Sequence, residues 1–112
     1  MDWIAELDSS TANISKFRQL QPNAGKGFTA LHHGSMQAGA LSVKEKELIA
    51  LSIGIVKQCV DCIGFHVKAA IAAGATRDEV GETISVAVMM GGGPALMYGA
   101  KALEAYDQLA SA

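Results

Sequence analysis

The stretch that decides the fold runs from Glu47 to His66 and reads ELIALSIGIVKQCVDCIGFH. Its first half, residues 48–56, is apolar on nearly every side at helical spacing, which predicts a central helix buried on all faces. Residues 57 and 58 are polar and interrupt this pattern, and a second helix is predicted to begin near Cys59. Cys62 follows three residues later, so both cysteines of the chain fall in the first turn of that helix. The stretch therefore predicts two consecutive helices, packed against each other, with both thiols close to the connection.

The rest of the chain also has the composition of a helical protein. Aromatic residues make up 5% of the sequence, there are only two prolines, and no segment alternates between apolar and polar residues as a half-buried strand does. We predict an all-α fold of about six helices, in one domain covering residues 1–112. Capping boxes at Ser42–Glu45 and Thr76–Glu79 mark the starts of the third and fifth helices. The predicted helices cover about residues 8–20 (capped by Asp8 or Ser9), 25–38, 43–56, 59–73, 76–90 and 94–109.

Apolar residues at helical spacing predict which faces pack. The methionines of the last two helices are interpreted as adaptable core residues, and the tyrosines as packing or interface residues. The predicted packing residues are Ile14, Phe17 and Leu20 on the first helix, Phe28, Leu31 and Met36 on the second, and Met89, Met90, Met97, Tyr98 and Tyr106 on the last two.

Composition excludes several classes of protein. Half of the 112 residues are apolar, mean hydropathy is +0.24, and the net charge is only -2. A domain of this size hides about two-thirds of its unfolded surface, so part of the apolar excess is expected to be covered by other copies of the chain. The charge balance argues against nucleic-acid binding. No apolar run reaches the roughly 20 residues needed to cross a membrane, and residues 1–6 do not resemble a secretory signal, so we expect a cytoplasmic protein.

Four side chains form the candidate active site: Glu47, Cys59, Cys62 and His66. Free backbone N–H groups and the helix dipole favour an anion such as a thiolate at a helix N-terminus. His66 lies four residues after Cys62 and seven after Cys59, so the three share one stripe of the helix. Antiparallel packing of the preceding helix would bring the Glu47 carboxylate to His66 or to Cys62, where it would orient the imidazole or relay a proton. We assign Cys62 as the thiol whose proton His66 exchanges, although the reverse order of the cysteines stays open.

Other interpretations of these residues stay open as well. One alternative is that the cysteines are simply two small residues of the core. Another is a zinc site, because two thiolates, the His66 imidazole and the Glu47 carboxylate are all groups that bind zinc. A purely structural disulfide between residues three apart is disfavoured, because such a short loop restricts the unfolded chain little and reducing compartments keep thiols reduced. His32 and His33 are adjacent and point in different directions on a helix, so both cannot join one site. Either one can border a pocket, and solvent exposure is the simpler expectation.

Four motifs resemble the carboxymuconolactone decarboxylase family, and within it the alkylhydroperoxidase D-like branch. They are KELIAL at residues 46–51, CxxCIxxH at residues 59–66, AGATRDEV at residues 73–80 and MGGGPAL at residues 90–96. The resemblance covers about residues 28–106. One departure is Asp61, which stands between the cysteines where the hydroperoxidase has a histidine and whose charge opposes thiolate formation.

The resemblance implies both an assembly and an activity. The family fold is all-helical and assembles as a homo-oligomer, either a trimer or a hexamer. The implied chemistry is a redox-active pair at Cys59 and Cys62 with a proton relay through His66 and Glu47, and it needs no cofactor and no metal. The implied partners are a hydroperoxide or another small electrophile and an external dithiol, such as a lipoylated or thioredoxin-like reductant. The decarboxylases of the family lack the cysteine pair, so their lactone chemistry is not expected here.

Overall fold

The computed structural model describes all 112 residues and contains six α-helices and no strand. This confirms the predicted all-α class. The helices are α1 (Trp3–Leu20), α2 (Pro22–Met36), α3 (Val43–Val56), α4 (Val60–Ala72), α5 (Arg77–Gly91) and α6 (Gly93–Ala110).

The two predicted capping boxes are both formed. Ser42 accepts a hydrogen bond from the Glu45 backbone N–H while the Glu45 side chain accepts from that of Ser42, and Thr76 and Glu79 do the same. The predicted start of α1 was wrong, since the helix begins at Trp3 and its cap is Asp2, whose carboxylate accepts from Ala5 N–H at 3.0 Å. The second helix also begins earlier than predicted, with Pro22 in its first turn. Proline is tolerated there because the N–H that it lacks has no helical partner.

One hydrophobic core lies between α3, α4, α5 and α6, and α1 packs against α4 and α6. Small residues on α6 let α5 and α6 approach closely, because a Cβ built on Gly99 would lie only 2.6 Å from Cγ2 of Ile84 on α5. The fully buried Trp3 ties α1 to α6, where its indole N–H donates to Glu104 at 2.7 Å. The core residues are Trp3, Leu51, Ile55, Ile63, Val67, Ala70, Ala75, Val80, Ala87, Ala95, Ala102 and Ala105.

Several apolar side chains predicted to pack are exposed in the chain. Five of the six side chains predicted to pack on α1 and α2 are exposed, because these two helices lie outside the four-helix core, while Met36 at the end of α2 is half-buried. The methionines assigned to the core are exposed as well, and α3 is not buried on every side. Tyr98 and Tyr106, in contrast, pack against the core as predicted. The exposed side chains are Ile14, Phe17, Leu20, Phe28, Leu31, Ile49, Ile53, Val56, Met89, Met90 and Met97.

None of the six helices combines the length and the apolar composition that a membrane-spanning helix requires.

Candidate active site

The two cysteines lie at the start of α4 and are joined by a disulfide, with their Cα atoms 5.2 Å apart. Cys59 is the N-cap of α4, and its sulfur accepts a hydrogen bond from the Cys62 backbone N–H at 3.2 Å. Both residues are partly exposed. A sulfur at the N-cap receives a backbone donor and the positive end of the helix dipole, and both stabilise it as a thiolate once the bridge is reduced.

The end of α3 sets the position of the cysteine pair. Gln58 takes a left-handed conformation with φ of 58°, and its N–H donates to the Ile55 carbonyl at 3.1 Å. The next N–H, that of Cys59, reaches back to the Gly54 carbonyl at 3.0 Å. These two bonds are a Schellman closure, which satisfies the last carbonyls of α3. The same turn that ends α3 therefore places Cys59 where α4 begins.

Glycine at position 54 allows α3 and α4 to approach closely beside the cysteines. Gly54 is buried, and a Cβ built on it would lie 3.2 Å from Cys62 Cβ and 3.6 Å from the Ile63 backbone nitrogen. Two turns earlier on α3, Glu47 contacts His66. The helices therefore run antiparallel, as the sequence predicted, with Gly54 facing the cysteines and Glu47 facing the histidine.

Glu47 and His66 form the polar contact of the site. Glu47 is only 5% exposed, although a glutamate at this position of a helix is by itself more often at the surface. Its Oε2 lies 2.8 Å from His66 Nδ1, and the His66 side chain is 21% exposed. A buried carboxylate needs such a donor. When Nδ1 donates to Glu47, Nε2 of the neutral ring is the free proton acceptor, one helical turn from Cys62.

Two further side chains, His32 and Asp61, lie at the site. The ring of His32, from α2, stacks on that of His66 with centroids 6.2 Å apart and planes at 26°. His32 is solvent-exposed as expected, but it also contacts the site, and no local sequence signal indicates this. Asp61 lies in the first turn of α4, and its Oδ1 is buried with no hydrogen-bond partner.

The structure thus joins the four predicted site residues in two pairs, the cysteines in a disulfide and His66 with Glu47, and His66 lies one helical turn after Cys62 on α4. With both sulfurs in the bridge, no three side chains of the His, Cys, Asp and Glu types are placed to hold a metal ion. A thiol pair at a helix N-terminus with an adjacent imidazole–carboxylate pair has the parts needed for thiol–disulfide chemistry with proton transfer.

Comparison with known proteins agrees with the resemblance seen in the motifs. The model of the carboxymuconolactone decarboxylase family matches residues 22–105. The chain belongs to this family, whose helical fold it has.

Related sequences and structures span nearly the whole chain. An uncharacterized protein of Paracoccus denitrificans, encoded in its cox locus, is 40% identical over 103 residues, which is 92% of this chain and 93% of that protein. An uncharacterized protein of Cupriavidus necator is 40% identical over 91 residues, covering 81% of this chain and 80% of the relative. A carboxymuconolactone decarboxylase family protein from Legionella pneumophila, solved in its apo form, superimposes with a TM-score of 0.92 at 43% identity, over 97% of this chain and 98% of that one.

A family member from Thermotoga maritima, proposed to take part in an antioxidative response, superimposes with a TM-score of 0.85 over 95% of this chain and 91% of that one. At 24% identity it shows the shared fold alone.

Proposed function

We propose that this protein is a thiol–disulfide oxidoreductase that reduces hydroperoxides and is itself reduced by an external dithiol. The observation that supports the proposal best is the placement of the cysteine pair at the start of α4, next to a histidine held by a buried glutamate. Family membership is consistent with redox chemistry at such a pair. The alternative within this proposal is a different electrophilic substrate for the same thiols.

The proposed cycle begins with the reduced pair. Nε2 of His66 takes the proton of Cys62, and the thiolate attacks one peroxide oxygen, so that an S–O bond forms and the O–O bond breaks. The proton on His66 passes to the departing alkoxide, giving an alcohol and a Cys62 sulfenic acid. The thiol of Cys59 then displaces water from this sulfur and forms the disulfide. An external dithiol reduces the disulfide by exchange and leaves as a disulfide itself.

Glu47 contributes by keeping Nδ1 of His66 protonated and by balancing the positive charge that develops when Nε2 takes the thiol proton. A hydrogen bond to a charged group contributes about 1.5–3 kcal/mol. We therefore expect Glu47→Gln to slow the oxidation of the reduced protein about ten- to a hundredfold. Glutamine keeps the shape of the side chain but removes its negative charge. The oxidation rates of the variant and wild type are compared at equal amounts of folded protein. An unchanged rate would remove Glu47 from the relay.

The decisive experiment is single-turnover oxidation of the reduced protein by tert-butyl hydroperoxide, followed by counting free thiols. Wild type should lose two thiols per chain, and dihydrolipoamide should restore them. Cys59→Ser should accumulate a sulfenic acid that dimedone traps. Cys62→Ser should react slowly with the hydroperoxide and give little dimedone adduct. The opposite pattern would reverse the order of the cysteines. If the folded wild type and Cys62→Ser are equally inert toward hydroperoxide, the peroxidase proposal fails.

The proposal includes a homo-oligomer, a trimer or a hexamer, working in the cytoplasm with a lipoylated or thioredoxin-like reductant. Large apolar side chains on the outer faces support the assembly, among them Phe28 (65% exposed), Leu31 (66%) and Met90 (73%). Contiguous exposed apolar surface typically marks an interface. Native mass spectrometry at micromolar concentration measures the number of chains, and a monomer under those conditions would contradict this part of the proposal.

A further inference from the structure

The C-terminal half of α2 is tied to the turn of α3 that carries Glu47. Lys46, the residue before Glu47, donates from Nζ to the carbonyl oxygens of Ser35, at 3.0 Å, and Gln37. These carbonyls lie at the end of α2, where the helix leaves them without backbone partners and where a cation is favoured. The clamp holds α2 beside the active site, with His32 one turn before the clamped carbonyls.

The ring of His32 lies close to the ring of His66 and nearly parallel to it. The centroids are 6.2 Å apart and the planes differ by 26°. This separation lies within the range in which aromatic rings attract each other, about 4.5–7 Å. A stacked contact of this kind constrains the orientation of a ring without needing a proton on either partner.

The covalent bond at Cγ and the hydrogen bond from Nδ1 to Glu47 hold one edge of the His66 ring, and Nε2 lies on the opposite side of the ring. The ring can still rock about the held edge, and this motion displaces Nε2. Stacking on one face reduces this freedom. Positioning contributes to the rate when a reacting atom must stay within about 3–3.5 Å of its partner.

We infer that His32 is a positioning residue of the active site, whose ring face holds the His66 imidazole in the orientation that lets Nε2 take the cysteine proton. The inference rests on the proposed function for its role in catalysis, but the orientation itself can be measured independently. The important property of His32 is its flat aromatic face, so phenylalanine should replace it and alanine should not. His33 provides a matched control, because it is the adjacent residue on the same exposed helix and lines a groove between α1 and α2 instead.

The first measurement detects the contact between the His32 and His66 rings by NMR. Spectra of the imidazole C–H groups of His66 are compared in wild type, His32→Ala, His32→Phe and His33→Ala. We expect His32→Ala to shift the His66 ring resonances through loss of the neighbouring ring current. In His32→Phe these resonances should still show a ring current, and in His33→Ala they should match wild type. This result does not depend on any peroxidase activity.

The second measurement determines the reactivity of the cysteine thiols without using a peroxide. Alkylation of the reduced protein by iodoacetamide is timed by mass spectrometry, after circular dichroism has established equal helix content. His32→Ala should react about two- to tenfold more slowly than wild type, as expected for the loss of one aromatic contact, while His32→Phe and His33→Ala should react at nearly the wild-type rate.

Two results would overturn the inference: His32→Ala behaving like His33→Ala in both measurements, or His32→Phe slowing alkylation as much as His32→Ala. A wild type that is alkylated as described but does not reduce hydroperoxide would instead contradict the proposed function alone.

Discussion

Replacing Gly54 by alanine tests whether the close approach of α3 to α4 sets the position of Cys62. The new methyl group would lie 3.2 Å from Cys62 Cβ, 3.6 Å from the Ile63 backbone nitrogen and 3.7 Å from the Cys62 carbonyl carbon. The last two distances are ordinary van der Waals contacts, but the first requires Cys62 to move by a few tenths of an ångström. Cys62 is in the first turn of α4 and in the disulfide, so the start of α4 must move with it.

Two opposing effects decide the change in stability. Alanine in place of glycine inside a helix stabilises by about 0.8–1 kcal/mol, because glycine loses more backbone entropy on folding. Overpacking a well-packed site costs about 1–3 kcal/mol. Gly54→Ala should therefore lower the free energy of unfolding by about 0–2 kcal/mol. Gly81→Ala on α5 is the matched control, because a Cβ there meets nothing within 4 Å, and it should stabilise by about 1 kcal/mol.

The assay combines urea unfolding with the rate of alkylation of the reduced protein. Gly54→Ala should be less stable than Gly81→Ala by about 1–3 kcal/mol. It should also react more slowly than wild type, because Cys62 has moved relative to His66, while Gly81→Ala should keep the wild-type rate. If Gly54→Ala gains as much stability as Gly81→Ala and reacts at the wild-type rate, the close contact at Cys62 does not position the site.

Two further predictions concern charges. Asp61→Asn removes a negative charge that destabilises a thiolate in the reduced pair more than it affects the neutral disulfide. The dithiol–disulfide equilibrium, measured against glutathione, should therefore shift roughly tenfold toward the dithiol, or about 30 mV for two electrons. A shift toward the disulfide would refute this reasoning. The paired hydrogen bonds from Arg77 hold the pKa of the Asp107 carboxyl below its ordinary value of 3.8. The stabilisation by this pair is therefore complete above pH 3.8 and disappears as the pH falls through the lower folded value. Melting curves of Asp107→Asn and wild type should differ at neutral pH and converge in strong acid, and a constant difference would contradict the assignment.

Much of the helical structure could be predicted from local sequence patterns. Capping boxes join residues only three positions apart, so Ser42–Glu45 and Thr76–Glu79 were readable without any knowledge of the fold. The start of α1 was missed although Asp2 is a local cap, which accepts from the Ala5 N–H. The packing of Trp3 against the last helix, where its indole N–H donates to Glu104, joins residues 101 positions apart and leaves no local signal.

Exposure was the property that sequence patterns predicted least well. Phe28 and Met89 have the same helical spacing as core residues, yet 65% and 71% of their surface is exposed. Periodicity identifies the apolar face of a helix but not what covers it. The position of α2 outside the four-helix core leaves Phe28 uncovered, whereas Met89 is exposed on α5, a helix of that core.

For the active site, the sequence by itself determined the chemical groups and their order along one helix. Cys59, Cys62 and His66 share a stripe of α4 because helical geometry places residues three, four and seven apart on one side. The tertiary structure alone decided that Glu47 is buried against His66, that Gly54 lets α3 reach Cys62, and that the ring of His32 stacks on that of His66. These contacts join side chains from three helices, and such distances are set when the helices pack together rather than by the spacing of residues along the chain.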